Sequence, residues 1–294
     1  MLTKSVNLRA TAATHTGCVR HGVGHETPFS GRGSRNAAED LRPNILQLNT
    51  EGLTADKISV IEQLAYKNKA FIIVLQETHC TTADKLVIPN FSLAGSILSR
   101  NRGLATFVHK RLEWSLVDQS PEQSETEWLC VDVAGYKIVN VYKPPRSQLT
   151  PTTIATFLHP SLYVGDFNCQ HVNWVTTSLD GESLDSWATS NNLGLLYNPK
   201  ETTSFFSRRW NVSTNPDVAI ASLGQDSRLL DRRVLGKFPR SQHRPSLITP
   251  PRFKVAAHSD PVKHWNFRKV DWKPFCLLTG ESVKRLPTSR HTRY

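Results

Sequence analysis

The amino-acid sequence predicts an α/β fold of two packed sheets covered by helices, and three observations carry the prediction. A short apolar strand, "NILQLN" at 44–49, precedes an amphipathic stretch and then a β-branched strand, "AFIIVLQETH" at 70–79. A series of strands separated by turn-prone residues follows as a β-meander. A second helical stretch then leads into further strands, the mixture expected of layered α/β architecture.

Each element has its own signal. In "TADKISVIEQLAYKNK", Ile58, Ile61, Leu64 and Ala65 fall on one helical face, and Thr54 is placed to cap the N-terminus. The strand at 70–79 ends abruptly in Gln76-Glu77-Thr78-His79. "SLAGSIL", "GLATFVHK", "EWSLVD", "EWLCVDV" and "YKIVNVYKPP" supply the meander. "SLYVGDFN" is another strand with a polar end. "SLDSWATSNNLGLL" predicts a helix ending at Asn191-Asn192 and a short strand; "NPDVAIAS" and "HRPSLIT" give the last strands.

Composition narrows the class of protein. A hydrophobic content of 38% with seven Trp and twelve Phe describes a globular chain. The net charge of +11 points to a polyanionic partner, nucleic acid first. Five scattered cysteines without a CxxC pair argue against a disulfide framework. No run approaches the roughly 18 apolar residues of a membrane span, so no membrane partner is expected.

Three regions follow. Residues 1–42 lack periodicity and are expected to be a disordered extension; their His15, Cys18, His21 and His25 match no standard zinc spacing. Residues 43–249 form the domain. Residues 250–294 are basic, aromatic and Pro-bearing, a linker or truncated C-terminal segment.

The polar residues at the strand ends carry the chemistry. Asn49, Glu77, Tyr142, Asp166 with Asn168, Asp217 and His243 each follow an apolar strand or sit in its final turn. Side-by-side strands would gather them on one rim. Carboxylates there can hold Mg²⁺ through oxygen with waters completing the octahedron. Asn can orient a phosphate or water, His can donate to a phosphate oxygen, and Tyr142 can stabilise developing negative charge. Such an inventory suits metal-assisted phosphodiester hydrolysis.

In order, "LNTEGL", "LQETH", "NVYKPP", "VGDFN", "TNPDVAI" and "RSQHRPSLI" resemble the endonuclease/exonuclease/phosphatase superfamily. More narrowly, they resemble the AP-endonuclease-like domain of non-LTR (LINE) retrotransposon proteins, jockey-like elements in particular. The resemblance implies a four-layer α/β sandwich with two mixed β-sheets flanked by helices. It also implies a Mg²⁺-dependent DNA endonuclease, with Mn²⁺ as the alternative ion, acting on double-stranded DNA. The nick leaves a 3′-hydroxyl that primes reverse transcription. Glu77 binds the metal, with Asp166 and Glu51 as further metal carboxylates. Asn49 and Asn168 position the phosphate and the attacking water, Asp166 accepts the water's proton, and Tyr142 contacts the phosphate. Asp217 supports the metal or the His, and His243 donates to the phosphate in the transition state. Ser204 takes the place of a Thr that contacts the DNA backbone. Element RNA would be reached through a polymerase region that these residues do not include. A nuclear location, otherwise cytoplasmic, follows from the substrate.

One position departs from the family pattern. Relatives close with Ser-Asp-His, whereas this chain has Ser241-Gln242-His243. An Asp behind the His would fix its tautomer and stabilise the imidazolium. In a different enzyme class, replacing such an Asp by an amide costs about 10⁴ in rate. The expectation is therefore a weakened nuclease, with a catalytically impaired nucleic-acid-binding remnant as one alternative. A repair AP endonuclease or a phosphatase of the same fold is the other. Charge supplies the DNA contacts: Lys143, Arg146, Arg208, Arg209, Arg232, Arg233, Lys237, Arg240 and Arg244 lie near strand ends or approach the final His.

Overall fold

In the computed structural model, which describes residues 43–150, 152–169, 178–224 and 230–250, the chain builds two six-stranded sheets, a separate two-stranded hairpin, two α-helices and one short 3-10 turn (Ala83–Lys85). It opens with β1 (Asn44–Asn49), α1 (Ala55–Lys67) and β2 (Ala70–Gln76), then turns through β3 (Phe91–Ile97) and β4 (Leu104–His109). The antiparallel meander β5 (Trp114–Gln119), β6 (Glu127–Val133) and β7 (Tyr136–Tyr142) follows, and a longer connection leads to β8 (Ser161–Asp166). After α2 (Leu179–Ser190) come β9 (Leu193–Leu195), the hairpin β10 (Phe205–Ser207) and β11 (Val212–Thr214), then β12 (Asp217–Ser222), β13 (Asp231–Val234) and β14 (Ser246–Thr249). The expected extension over 1–42 and, apart from Pro250, the segment over 250–294 lie outside the described residues.

The first sheet has the order β13-β14-β1-β2-β4-β3 and the second β5-β6-β7-β8-β12-β9. Each contains one parallel pair, β1 with β2 and β7 with β8, so both sheets are mixed. Side chains alternate faces along a strand, and this alternation makes the layers. Ile45, Ile72 and Val74 of the first sheet meet Leu129, Ile138, Leu162 and Val164 of the second. Leu46, Leu48, Ile73 and Leu75 face the other way, against Ile61 and Ala65 of α1. Val139, Val141, Tyr163 and Ile220 pack against Leu184, Trp187 and Ala188 of α2. The result is the four-layer α/β sandwich.

Local chemistry sets the helix starts. Thr54 caps α1 by accepting from the Lys57 N–H at 3.4 Å. The second helix begins a turn earlier than "SLDSWATSNN" predicts, because Ser178 caps it through the Gly181 N–H at 3.1 Å. Asp180-Gly181 resembles a turn in sequence. Here Asp180 is instead anchored by the Leu149 N–H at 3.0 Å and the Lys143 ammonium at 2.8 Å, which holds the first turn. The hairpin β10–β11 and β13 have three or four residues each, too short for a periodic signal. Cys80, Cys130 and Cys169 are buried free thiols, and no helix among the described residues is long and apolar enough to cross a membrane.

Gly165 governs the approach of β7 to β8. It pairs with Val141, and a Cβ built on it would lie 1.9 Å from the Val141 carbonyl oxygen. Gly165→Ala should therefore destabilise the domain by ~3 kcal/mol, measured as a fall in urea midpoint. Gly236→Ala, whose Cβ would meet nothing within 4 Å, should leave the midpoint nearly unchanged.

Candidate active site

Strand alternation and strand direction together gather the polar ends. Along β1 the inward positions are Ile45, Gln47 and Asn49; along β8 they are Leu162, Val164 and Asp166. The parallel pair β7–β8 ends in register at Tyr142 and Asp166. The strand β12 runs antiparallel to β8 and sets Asp217 opposite Asp166. Asp217 thus opens its strand, and His243 precedes β14, rather than either following a strand as expected. Antiparallel strands bring starts beside ends, so the rim still assembles.

A single hydrogen-bonded group results. Asn49 Nδ2 donates to Glu77 Oε1 at 3.0 Å and to Asp166 Oδ2 at 2.8 Å. The Asn168 N–H donates to Asp166 Oδ1 at 3.1 Å, and Asn168 Nδ2 donates to the Lys143 carbonyl at 3.0 Å. His243 Nδ1 lies 2.9 Å from Asp217 Oδ2, while its Nε2 lies 3.9 Å from Asp166 Oδ2, too far for a hydrogen bond. The Tyr142 phenol sits near the Glu77 carboxylate, whose charge opposes its ionisation. Glu77 and Asn168 adopt left-handed backbone, with φ of 47° and 45°, which turns both side chains back over the strand ends.

The surroundings give these groups unequal proton affinities. Burial alone would depress His243, but the Asp217 charge and hydrogen bond, then Asp166 and Glu51, raise it to about 9. Burial pushes Asp166 up, and against the pull of His243 the neighbouring Asp217 and Glu77 carboxylates help leave it at about 7. Burial would raise Asp217 too. There the His243 charge and hydrogen bond, with donors from Gln47 and Ser204, hold it below the ordinary value. Burial and then Glu77 keep the Tyr142 phenol protonated.

Several sequence expectations need correction. Gln242 does not sit behind the imidazole: the acid on His243 is Asp217, and the Gln242 amide faces Glu51 and the Arg208 N–H instead. The predicted loss of a charged partner therefore does not occur. Lys143 is fully buried and paired with Asp180 at 2.8 Å, so it is no DNA contact. Ser204 is also fully buried, its Oγ accepting from the Asp217 N–H at 3.3 Å. Arg232 is buried against Glu201, the Asp217 carbonyl and Ser246. Arg146, Arg208, Arg209 and Arg240 do stand exposed. Trp210 is 69% exposed, with the Arg209 guanidinium 4.8 Å from its ring centroid.

Sequence reasoning missed the support beneath the site. Gln47 Nε2 donates to Asp217 Oδ1 at 2.8 Å and to Gln76 Oε1 at 2.9 Å. Gln76 Nε2 then donates to Asn140 Oδ1 at 2.7 Å. The available signal was an amide at an inward position of an otherwise apolar strand. Lys57, on the buried face of α1, was missed for the converse reason, since a lysine in an amphipathic helix ordinarily faces water.

Clefts flank the group. One of 460 Å³ is lined by Asn168, Pro145, Phe205, Trp210 and Val212. Another of 320 Å³ runs beside His243 between Arg208, Lys237, Arg240 and Arg244. A larger cleft of 510 Å³, between Tyr66, Phe71, Phe91 and His109, holds none of the predicted site residues. Among the described residues no three His, Cys, Asp or Glu side chains form a ready-made metal cluster. Mg²⁺ does not require one, because it binds through one or two carboxylates and keeps several waters. Glu77, 21% exposed beside the buried Asp166, offers hard oxygen donors in a crowd of acids that a cation would relieve, and the donor set fits.

Residues 136–245 match the family described as endonuclease-reverse transcriptase. Similar solved structures include the endonuclease domain of TRAS1, a telomere-specific non-LTR retrotransposon, at 16% identity and a TM-score of 0.53, covering 72% of this chain and 99% of that one. The AP endonuclease LMAP from Leishmania major aligns at 15% identity and a TM-score of 0.57, covering 74% and 91%. An AP endonuclease from Archaeoglobus fulgidus aligns at 13% identity and a TM-score of 0.52, covering 71% and 99%. No curated protein matches the chain. At these identities the structural likeness speaks for the fold.

The His243–Asp217 pair predicts a pH dependence of stability. His243 is raised from 6.5 to about 9, so its contribution is complete below pH 6.5 and is lost as pH rises through 9. Urea midpoints of the wild type should fall across that interval. Asp217→Asn should start lower at pH 6.5 and lose most of the slope. A wild-type midpoint unchanged from 6.5 to 9 would contradict the pairing.

Proposed function

We propose that the chain is an AP-endonuclease-like member of the endonuclease/exonuclease/phosphatase superfamily and acts as a Mg²⁺-dependent DNA endonuclease, with Mn²⁺ as an alternative ion. The observation that carries the reading is the joining of Glu77, Asn49 and Asp166 by hydrogen bonds beside a His243 oriented by Asp217.

The residues divide the work of hydrolysing a phosphodiester. Asp166, with a proton affinity near neutrality, takes the proton of the attacking water. The water oxygen bonds to phosphorus and the P–O3′ bond breaks, leaving a 5′-phosphate and, after protonation, a 3′-hydroxyl. Asn49 and Asn168 orient the water and the phosphate through their amides. His243, protonated at neutral pH, donates from Nε2 to a phosphate oxygen where charge develops. Tyr142, kept protonated by burial and Glu77, is a second donor. Mg²⁺ would be held by Glu77, with Glu51 and Asp166 as further carboxylates, and supplies Lewis-acid neutralisation of phosphate charge.

Charge and shape support double-stranded DNA as the partner. The exposed Arg146, Arg208, Arg209 and Arg240 flank the site, and the basic cleft with Lys237 and Arg244 abuts His243. Binding through such residues weakens steeply with salt. The likeness to the TRAS1 domain and the matched family support a retroelement role, in which the 3′-hydroxyl primes reverse transcription in the nucleus, with element RNA engaged by a polymerase region. The comparable likeness to AP endonucleases supports a second reading, incision at abasic sites. Against the remnant reading stands the acidic partner that His243 has in Asp217.

Nicking of supercoiled plasmid tests the proposal. The wild type should nick undamaged plasmid with Mg²⁺ and stop on chelation. Asp166→Asn should lower the rate by ~10²–10⁴-fold, and Glu77→Ala should abolish metal-stimulated nicking. Cleavage confined to duplexes with an abasic site would favour repair. A wild type that leaves both substrates intact with either ion would defeat the nuclease reading.

A further inference from the structure

The loop after β1 holds Glu51 with more machinery than a surface acid requires. Its backbone is left-handed, with φ of 46°, a conformation rare outside glycine. The Lys57 ammonium, buried beneath the loop, donates to the carbonyls of Thr50, Glu51 and Gly52 at 2.6, 3.2 and 2.9 Å. The Gly52 N–H donates to the Glu77 carbonyl at 2.8 Å, and Thr50 Oγ1 donates to the same carbonyl at 2.9 Å. The turn bearing Glu51 is thereby tied to the turn bearing Glu77.

Gln242 completes the arrangement from the opposite side. Its N–H donates to Glu51 Oε2 at 2.9 Å, and its Nε2 donates to Glu51 Oε1 at 3.2 Å. Its Oε1 accepts the Arg208 N–H at 3.0 Å, and its carbonyl accepts the Phe206 N–H at 3.0 Å. Residue 242 is therefore a junction between the Glu51 turn and the hairpin that carries Arg208, Arg209 and Trp210. A primary amide can donate to a carboxylate and accept from a backbone N–H at once; a carboxylate has no proton for the first bond. An aspartate here would face Glu51 charge against charge, on a side chain one methylene shorter.

We propose that Gln242 is a positioning residue, which aims the Glu51 carboxylate into the site and fixes the β10–β11 hairpin against it. The functional part of this claim rests on the nuclease reading above. It reverses the simple expectation from the sequence: restoring an acid at 242 weakens the enzyme. Glu51 also contributes to holding the charge on His243, so its orientation reaches the reacting groups.

A set of variants of the full chain tests the claim: Gln242→Asp, Gln242→Ala, Glu51→Ala, the Glu51→Ala/Gln242→Ala double, and the Glu51→Gln/Gln242→Glu polarity swap. Gln242→Ala should lower kcat for plasmid nicking by about 10- to 100-fold, the range seen when a residue orienting a metal-site ligand is lost. Plasmid KM should change little. The double variant should be no slower than Glu51→Ala alone, the mark of two residues acting as one unit. In melts with chelator present, Gln242→Asp should lower Tm and the polarity swap should restore it. Nicking by Gln242→Asp at or above the wild-type rate would overturn the proposal, as would additive losses in the double variant. If the wild type nicks nothing, the nuclease reading fails and the chelated melts decide the clamp alone: no drop in Gln242→Asp, or no recovery in the swap, overturns it.

Discussion

A carboxylate removed from water must be surrounded by donors, and the burial of Asp217 sets that demand at the junction of the two sheets. Taking a charge out of water costs several kcal/mol unless hydrogen bonds and an opposite charge replace the lost hydration (roughly, per ion). Asp217 belongs to β12 of the second sheet, yet its carboxylate receives Gln47 from β1 of the first sheet and His243 from the turn before β14. Its own peptide groups are met by Ser204 and by Arg232 of β13. Both sheets must therefore be docked before the acid is satisfied. The orientation of His243 is a consequence of that docking.

The same reasoning explains why polarity is tolerated deeper between the sheets. Gln47, Gln76 and Asn140 form a continuous amide chain, and Asn140 Nδ2 also reaches the carbonyls of Leu75 and Ala105 at 3.1 and 3.2 Å. A partly satisfied chain of this kind would destabilise the core more than an apolar one. Because each member donates to the next, the amide orientations are mutually determined, and Gln47 presents Nε2 rather than Oε1 to Asp217. Fixing one donor at the floor of the site thus engages three strands. Asn49 repeats the device one inward step along β1, where a single amide nitrogen spans Glu77 and Asp166.

What the sequence revealed and what it concealed divide along one physical line. Apolar alternation and abrupt polar strand ends are local, so the strands, α1 and the convergence of Asn49, Glu77, Tyr142, Asp166 and His243 were legible. The direction of a charged side chain is tertiary. Lys143 and Arg232 look like surface cations in sequence, but Asp180 and Glu201 wait for them from other elements, the latter 31 residues away. Gln242 misled through proximity. His243 forms a β-bridge with Phe205, and consecutive side chains in such a segment leave on opposite sides, so residue 242 cannot stand behind the imidazole. The acid that does so lies 26 residues upstream.

Asp166 and Asp217 finally show how one register can yield two chemistries. They are directly paired across β8 and β12, both almost wholly buried, and differ mainly in what faces them. Asp217 has the imidazole, Gln47 and Ser204, and stays ionised below the usual carboxylate value despite burial. Asp166 has less compensation for its burial, since His243 is more distant and the carboxylates of Asp217 and Glu77 oppose its ionisation. Two acids driven apart in this way suit separate roles under the proposed function, one an anion that keeps the imidazolium in place and the other a base able to exchange a proton near neutrality.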